Sequence, residues 1–213
     1  MNVEILFAVL TGLPLTILIT LTALGIGTLL AIPLLFGLRS TNRTVWFISR
    51  CFVDICRGIP PIVWLFVLFF GVSVGSARLS AFAAGVIGLG LVASGYLAEI
   101  FRGAVKAVHA GQWEAAHALG FPATSTWSQV IGPQVLRTAL PGFTTYAIAL
   151  LKDSSIVSIL GVAEMVFTTS QLARSSDLGI FVYAVAAAVY IGLSVPLGVL
   201  SRSLDVKLRK AVA

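Results

Sequence analysis

The chain has 213 residues, of which 58% are hydrophobic and 10% charged, and it carries a net charge of +6. Ordinary soluble domains hold roughly one-quarter charged residues, so this composition, with a mean hydropathy of +1.03, excludes them and indicates an integral membrane protein. Membrane topology and anionic headgroups account for the positive balance without nucleic acid. Cys51 and Cys56 are too far apart for a Cys-x-x-Cys pair and imply no disulfide framework.

A membrane helix needs about 20 apolar residues, and five such spans are predicted. The first runs from about Leu13 to Leu38, with Pro14 at its start, where a missing N–H is harmless. The short apolar stretch Ile5 to Leu10 ahead of it is expected to lie at the interface. The only early charge is Glu4 and the first basic residue is Arg39, unlike a cleaved secretory leader, so the first span is expected to be retained. The second span covers about Ile59 to Val74, with a lead-in from Val45 that carries Arg50 and Asp54 and a bend near Pro60-Pro61. The third covers about Leu79 to Phe101, the fourth Thr138 to Gly161, and the fifth Leu178 to Leu200.

Basic residues stay on the cytoplasmic side of span ends. Arg39, Arg43, Arg50 and Arg57 fall in the first loop, Arg102, Lys106 and Arg137 in the third, and Arg202, Lys207, Arg209 and Lys210 in the tail, whereas only Arg78 and Arg174 fall opposite. The N-terminus is therefore expected outside and the C-terminus inside. Small residues at four-residue spacing, Ala81 and Gly85, then Ala184, Ala188 and Gly192, suit close helix packing. Packing within the chain is favoured over dimer contacts for both sets.

The loop from Arg102 to Arg137 is the one long polar interruption. Within it, Gln112 to Leu119 is a two-turn helix-forming run, and Gly120 is placed to cap it in the left-handed conformation. Helical spacing puts Ala115, Ala116 and Leu119 on one face and Glu114 and His117 on another. Such a helix could seat in a partner's groove, or could simply lie at the interface.

Lys152 and Asp153 sit mid-way along the fourth span, where a charge costs about 2.5–3.5 kcal/mol on insertion scales and usually faces a cavity or a partner. Adjacent helical residues diverge by roughly 100°, so the two are poorly placed to pair with each other. In one reading Asp153 attracts an amino group, Lys152 a carboxylate, and Ser154 and Ser155 donate hydrogen bonds along a path that includes Tyr146. In the other, the charges join a structural ion-pair network with other helices or across a dimer axis. Glu99 and Arg102 are spaced for a local pair, and Trp46, Trp64, Trp113 and Trp127 fall mostly near interfaces, with core packing open for Trp64. Glu164, Arg174 and Asp177 lie in the outer loop after the fourth span, as a docking surface or a solvated loop.

Several motifs occur in a fixed order: Tyr96-Leu-Ala-Glu-Ile-Phe-Arg-Gly103, Gly111-Gln-Trp-Glu-Ala-Ala-His-Ala-Leu-Gly120, Val130-Ile-Gly-Pro133, Leu140-Pro141 and Leu150-Leu-Lys-Asp-Ser-Ser-Ile156. With Arg57-Gly-Ile-Pro60 before them and Leu200-Ser-Arg-Ser-Leu204 after, the chain resembles permeases of the polar amino acid branch of ABC importers. The resemblance implies an all-α, five-span permease domain of the type I, MetI-like fold covering the whole chain, with a cytoplasmic coupling loop at about 102–137. It further implies two cytosolic ATPase subunits, a second permease copy or sister chain, and an extracytoplasmic solute-binding protein delivering a polar amino acid or close derivative. Carried over residue by residue, Glu114, Ala115, Ala116 and Gly120 match the coupling motif, and Pro133 its closing proline; Gly111, Gln112, His117 and Leu119 complete the segment expected to dock. Gly132 stands where the family usually has Leu, His109 where Pro or Asp is common, and Ile59 and Pro61 where Thr and Leu are usual. Members carrying basic amino acids often have Asn-Glu before the Lys-Asp pair; Thr145 and Tyr146 here weakly disfavour a cationic substrate.

No phosphate-cradling Gly-x-x-x-x-Gly-Lys-Ser/Thr loop is present. ATP and Mg2+ are therefore expected on a partner chain, with no cofactor here and no enzymatic activity. Gly71-Val-Ser73-Val-Gly75 matches a nucleophile pattern, but His109 and His117 lie across a core about 30 Å thick, which disfavours an intramembrane serine hydrolase. An ion-coupled secondary transporter would show inverted repeats, and none is visible.

Overall fold

The computed structural model describes residues 2–74 and 77–210. Helix α1 (Asn2–Leu10) leads into α2 (Leu13–Gly37). Together Val3–Gly37 make one apolar run of 35 residues. This corrects the expected interfacial position of residues 5–10. Ile5 and Val9 are buried with Met165, Val182 and Ala186, so α1 finds its apolar partners inside the protein.

Helices α3 (Arg43–Gly58) and α4 (Pro61–Gly71) form the second span as a broken pair bent by 100°. Ile59 and Pro60 each precede a proline, which disfavours helical backbone; their ψ angles of 129° and 139° are extended. The 11 residues of α4 rise only about 17 Å, well short of a bilayer core of about 30 Å. After α4, strands β1 (Ser73–Val74) and β2 (Ala77–Arg78) pair as a two-residue hairpin with Ser73 opposite Arg78. Gly75, which completes the nucleophile pattern, lies outside the described residues.

Helix α5 (Ala81–Ala107) is buried along most of its length and extends past the expected end of the third span, so Arg102 and Lys106 are helical. The long polar interruption is itself nearly all helix. It contains α6 (Ala110–Ala118), α7 (Ala123–Ser125) and a π turn (Thr126–Ile131), which continues into α8 (Gly132–Asp153) and a 3-10 segment (Ser154–Leu160). The fourth span thus begins earlier than predicted, as a continuous helical run from Ala123 to Leu160. Helix α9 (Met165–Ser175) then precedes α10 (Gly179–Lys210), whose apolar part ends at Ser203.

Lipid offers no hydrophobic drive between helices, so small residues and tight contact must hold the bundle. At Gly27 a Cβ would fall 2.5 Å from the Ala93 methyl, and at Gly90 one would fall 2.8 Å from Ile26 Cγ2, so α2 and α5 meet almost backbone to backbone. Gly85 meets Val157 in the same way, making its motif an intrachain contact. The second small-residue set does the opposite. Ala184, Ala188 and Gly192 are exposed, which corrects the expectation that they pack within the chain.

Glu164 also departs from expectation. It is fully buried and not part of a docking surface, although Arg174 and Asp177 are exposed. Its Oε1 accepts from the Phe167 N–H at 2.7 Å, capping α9, while the Met165 N–H donates to Thr16 Oγ1 at 3.0 Å. The Thr16 and Tyr190 hydroxyls lie 3.4 and 3.5 Å from Oε2, drawing α2 and α10 to the same carboxyl.

Burial pushes the Glu164 carboxyl above its ordinary value, opposed by the Val166 and Phe167 N–H groups and the two hydroxyls. The folded state therefore favours the proton. Its contribution to stability is full below the usual carboxylate range and is lost as pH rises through the raised folded value. The melting temperature of the purified protein is expected to fall across that window, and Glu164→Gln to flatten the profile; a variant as pH-dependent as the parent excludes Glu164 as the source.

Candidate functional site

Helix α6 carries the Glu-Ala-Ala segment and is closed at both ends by its own sequence. His109 precedes it, and its Nδ1 accepts from the Gly111 N–H at 3.1 Å. At the other end Gly120 has φ +73°, as expected of a left-handed cap. The Gly120 N–H donates to His117 O and the Phe121 N–H to Ala116 O, both at 3.0 Å, which is the paired bonding of a Schellman cap.

The faces of α6 are divided differently from the expectation. Ala116 is buried and turned inward with Trp113, while Glu114, Ala115, His117 and Leu119 are exposed. Adjacent residues lie about 100° apart on a helix, so Ala115 and Ala116 are shared between the two sides. Leu119 is 73% exposed, a large apolar side chain at the tip of a polar-edged helix. Gln112 Oε1 accepts from Gln134 Nε2 at 3.1 Å, pinning α6 to α8.

Beneath α6 is an aromatic cluster. Trp113 meets Trp127 edge-on at 5.3 Å between centroids, and Phe36 of α2 meets Trp127 edge-on at 5.4 Å. The Arg39 guanidinium lies over both indoles, 5.6 Å from Trp113 and 5.9 Å from Trp127. These tryptophans thus contact one another, a pairing their expected place near an interface did not indicate. Trp127 sits in the π turn, whose origin is readable in Pro133: it has no N–H for the carbonyl four residues back and its ring crowds that carbonyl, so the turn before it widens. Gly132 accommodates the widening. Its N–H bonds Trp127 O, and a Cβ there would come within 2.5 Å of that oxygen, so the residue that departs from the family pattern fits the local backbone.

A second group of side chains lines α3, α5 and α8. Arg50 bonds Asp54 at 2.9 Å and Glu99 at 2.8 Å, and Glu99 also accepts from Arg102 Nε at 2.9 Å. The local Glu99–Arg102 pair was expected; Arg50, 49 positions away from Glu99, was not. Arg57 lies over the Tyr96 ring at 5.1 Å, and Tyr96 stacks on Tyr146 at 5.3 Å. The Tyr146 hydroxyl is buried and has no hydrogen-bond partner among the described residues.

Two turns beyond Tyr146 on the same helical face lies Asp153, half-buried, with Lys152 exposed beside it. Among the described residues neither forms an ion pair. Ser154 is fully buried and its hydroxyl donates to Leu151 O at 2.8 Å, while Ser155 donates to Lys152 O at 2.7 Å. Both hydroxyl protons are therefore engaged by their own helix instead of pointing along a path, and Ser154 is wholly enclosed. Arg57 and Tyr96 were absent from the sequence expectation. Each stands in a motif it quoted, but nothing local shows that they stack.

Residues 23–210 match the family described as binding-protein-dependent transport system inner membrane component. The chain belongs to this family. It is a multi-pass inner-membrane permease subunit of an ABC importer and not an enzyme, ATP hydrolysis in such importers residing on a separate ATPase subunit. It is 31% identical to the arginine ABC transporter permease of Haemophilus influenzae over 84% of each chain. It is 29% identical to a probable glutamine ABC transporter permease of Bacillus subtilis over 99% of this chain and 100% of that one. A crystal structure of an amino acid ABC transporter with histidines aligns with TM-score 0.87 at 27% identity, covering 97% of this chain and 96% of that one. An inward-facing methionine ABC transporter aligns with TM-score 0.81 at 18% identity over 98% and 99%, which shows the MetI-like fold.

Replacing Gly120 places a Cβ in the left-handed region, at about 1–2 kcal/mol. In Gly120→Ala, amide exchange in the last turn of α6 is expected to accelerate by about five- to thirtyfold with the spans unaffected; unchanged exchange there would show that the cap does not hold the helix.

Proposed function

We propose that the permease carries a polar amino acid or close derivative, delivered by an extracytoplasmic solute-binding protein, through a pathway shared with a second copy or a sister chain. The observation that carries the coupling half of this reading is α6: a capped helix seated on indoles from within, presenting Glu114, Ala115, His117 and exposed Leu119 outward. A cytosolic pair of ATPase subunits, which bind ATP and Mg2+, docks on that face. Similarity to permeases named for arginine, glutamine and cystine supports an amino-acid cargo. The excess of Lys and Arg in and beside α3, at the ends of α5 and α8 that adjoin α6, and in the tail supports an outside N-terminus and a cytoplasmic C-terminus.

Binding of nucleotide shifts the channel between outward and inward access only if docked α6 contacts the ATPase differently in the two states. Nucleotide would otherwise drive nothing. On the pathway side, Tyr146 and Asp153 share one face of the fourth span, with Lys152, Ser154 and Ser155 adjoining. Among the described residues Asp153 has no ion-pair partner within 4 Å, which supports a role in meeting a substrate ammonium group.

In proteoliposomes holding the assembled importer, Glu114→Arg is expected to abolish substrate uptake while the subunit remains in the membrane, and normal ATP-driven uptake would overturn the docking assignment. Asp153→Asn is expected to raise the apparent KM for an amino-acid substrate by about tenfold or more, the scale of one lost charge-assisted hydrogen bond. Kinetics unchanged from the parent would remove Asp153 from the pathway.

A further inference from the structure

Three spans converge on α6, but only two are tied to it by short links. The α5 helix runs into it through Val108 and His109, and α8 follows it through α7 and the π turn. The α2 helix is separated from it by the whole of α3, α4 and α5 in the chain, and must be tied by contacts. Beside buried Leu35, those contacts include the aromatic cluster: Phe36 at the end of α2 and Arg39 just beyond it reach Trp127, and Arg39 reaches Trp113 as well.

We propose that Arg39, lying over the Trp113 and Trp127 rings, is the positioning residue that ties α2 to the coupling helix, so that displacement of α6 by the ATPase turns α2 together with α5 and α8. This rests on the docking role proposed for α6. Arg39 is exposed and, among the described residues, has no carboxylate within ion-pair distance, so its guanidinium is held by ring faces. The π turn sets the position of Trp127 between α2 and α6, and Gly132 and Pro133 set the π turn. On its other side α2 is locked to α5 through Gly27 and Gly90, so a pull at Arg39 moves α2 as a body.

The test is the complete importer, permease with its ATPase and binding protein, reconstituted with Arg39→Gln, Arg39→Lys and Trp113→Leu. Three quantities are read: ATPase retained on the permease, ATP hydrolysed, and substrate taken up per ATP. For Arg39→Gln and Trp113→Leu, retention and hydrolysis are expected to stay near the parent, while uptake per ATP falls about two- to fivefold, the range an exposed cation–π contact sets. Arg39→Lys, which keeps a cation, recovers part of the loss. Uptake per ATP unchanged in both variants overturns the proposal, as does a proportional loss of all three quantities, which marks a merely structural role. If the parent permease itself retains no ATPase, the docking reading fails and this proposal with it.

Discussion

The close approach of α2 to α5 is the contact on which the rest of the bundle depends. A helix buried in protein within a bilayer gains nothing from escaping water a second time, so what holds two spans together is the number of atoms they bring within van der Waals range. Gly27 against Ala93 and Gly90 against Ile26 allow that range to be reached along the backbones themselves. Because α5 is buried by α2 on one side and by α3, α4 and the 3-10 segment on others, the side chains it carries are placed with little freedom. Tyr96 and Glu99 are two of these, and the chain leaving its C-terminal end is α6.

Polar groups inside the bundle follow the same logic. Each is either bonded to its own helix, as the Ser154 and Thr169 hydroxyls are, or used to join elements, as Glu99 joins Arg50 and Arg102 and Glu164 joins α9 to α2. Water is scarce at this depth, so such bonds select one arrangement of the helices over slipped alternatives. Among the described residues the Tyr146 hydroxyl, Trp64 Nε1, Ser194 Oγ and the charges at Lys152 and Asp153 stand outside this accounting. Tyr146, Lys152 and Asp153 share the helical run of the fourth span, whereas Trp64 and Ser194 lie on α4 and α10.

At the α6 end of the bundle a soft backbone feature and a hard contact cooperate. The π turn before Pro133 displaces Trp127 from the regular helical position, and the indole so displaced fills the space between α6 and the end of α2. The indole cluster thereby joins α6 to α2 through contacts that neither helix could make alone.

Local chemistry explains what was legible beforehand. The apolar runs, the bend at Pro60-Pro61, the left-handed cap at Gly120 and the short helix around Glu114 each depend on residues a few positions apart, whose backbone preferences act without knowledge of the fold. Other outcomes depended on which surfaces meet in space: Ala116 turned inward while Ala115 faces out, Glu164 sank from a supposed outer loop into the core, the Ala184 stripe was left outward, and Arg50 found Glu99 across 49 positions. Periodicity assigns a residue to a helical face but not to a neighbour; packing against a distant segment makes that choice, because burial is a property of the pair of surfaces and not of either one alone.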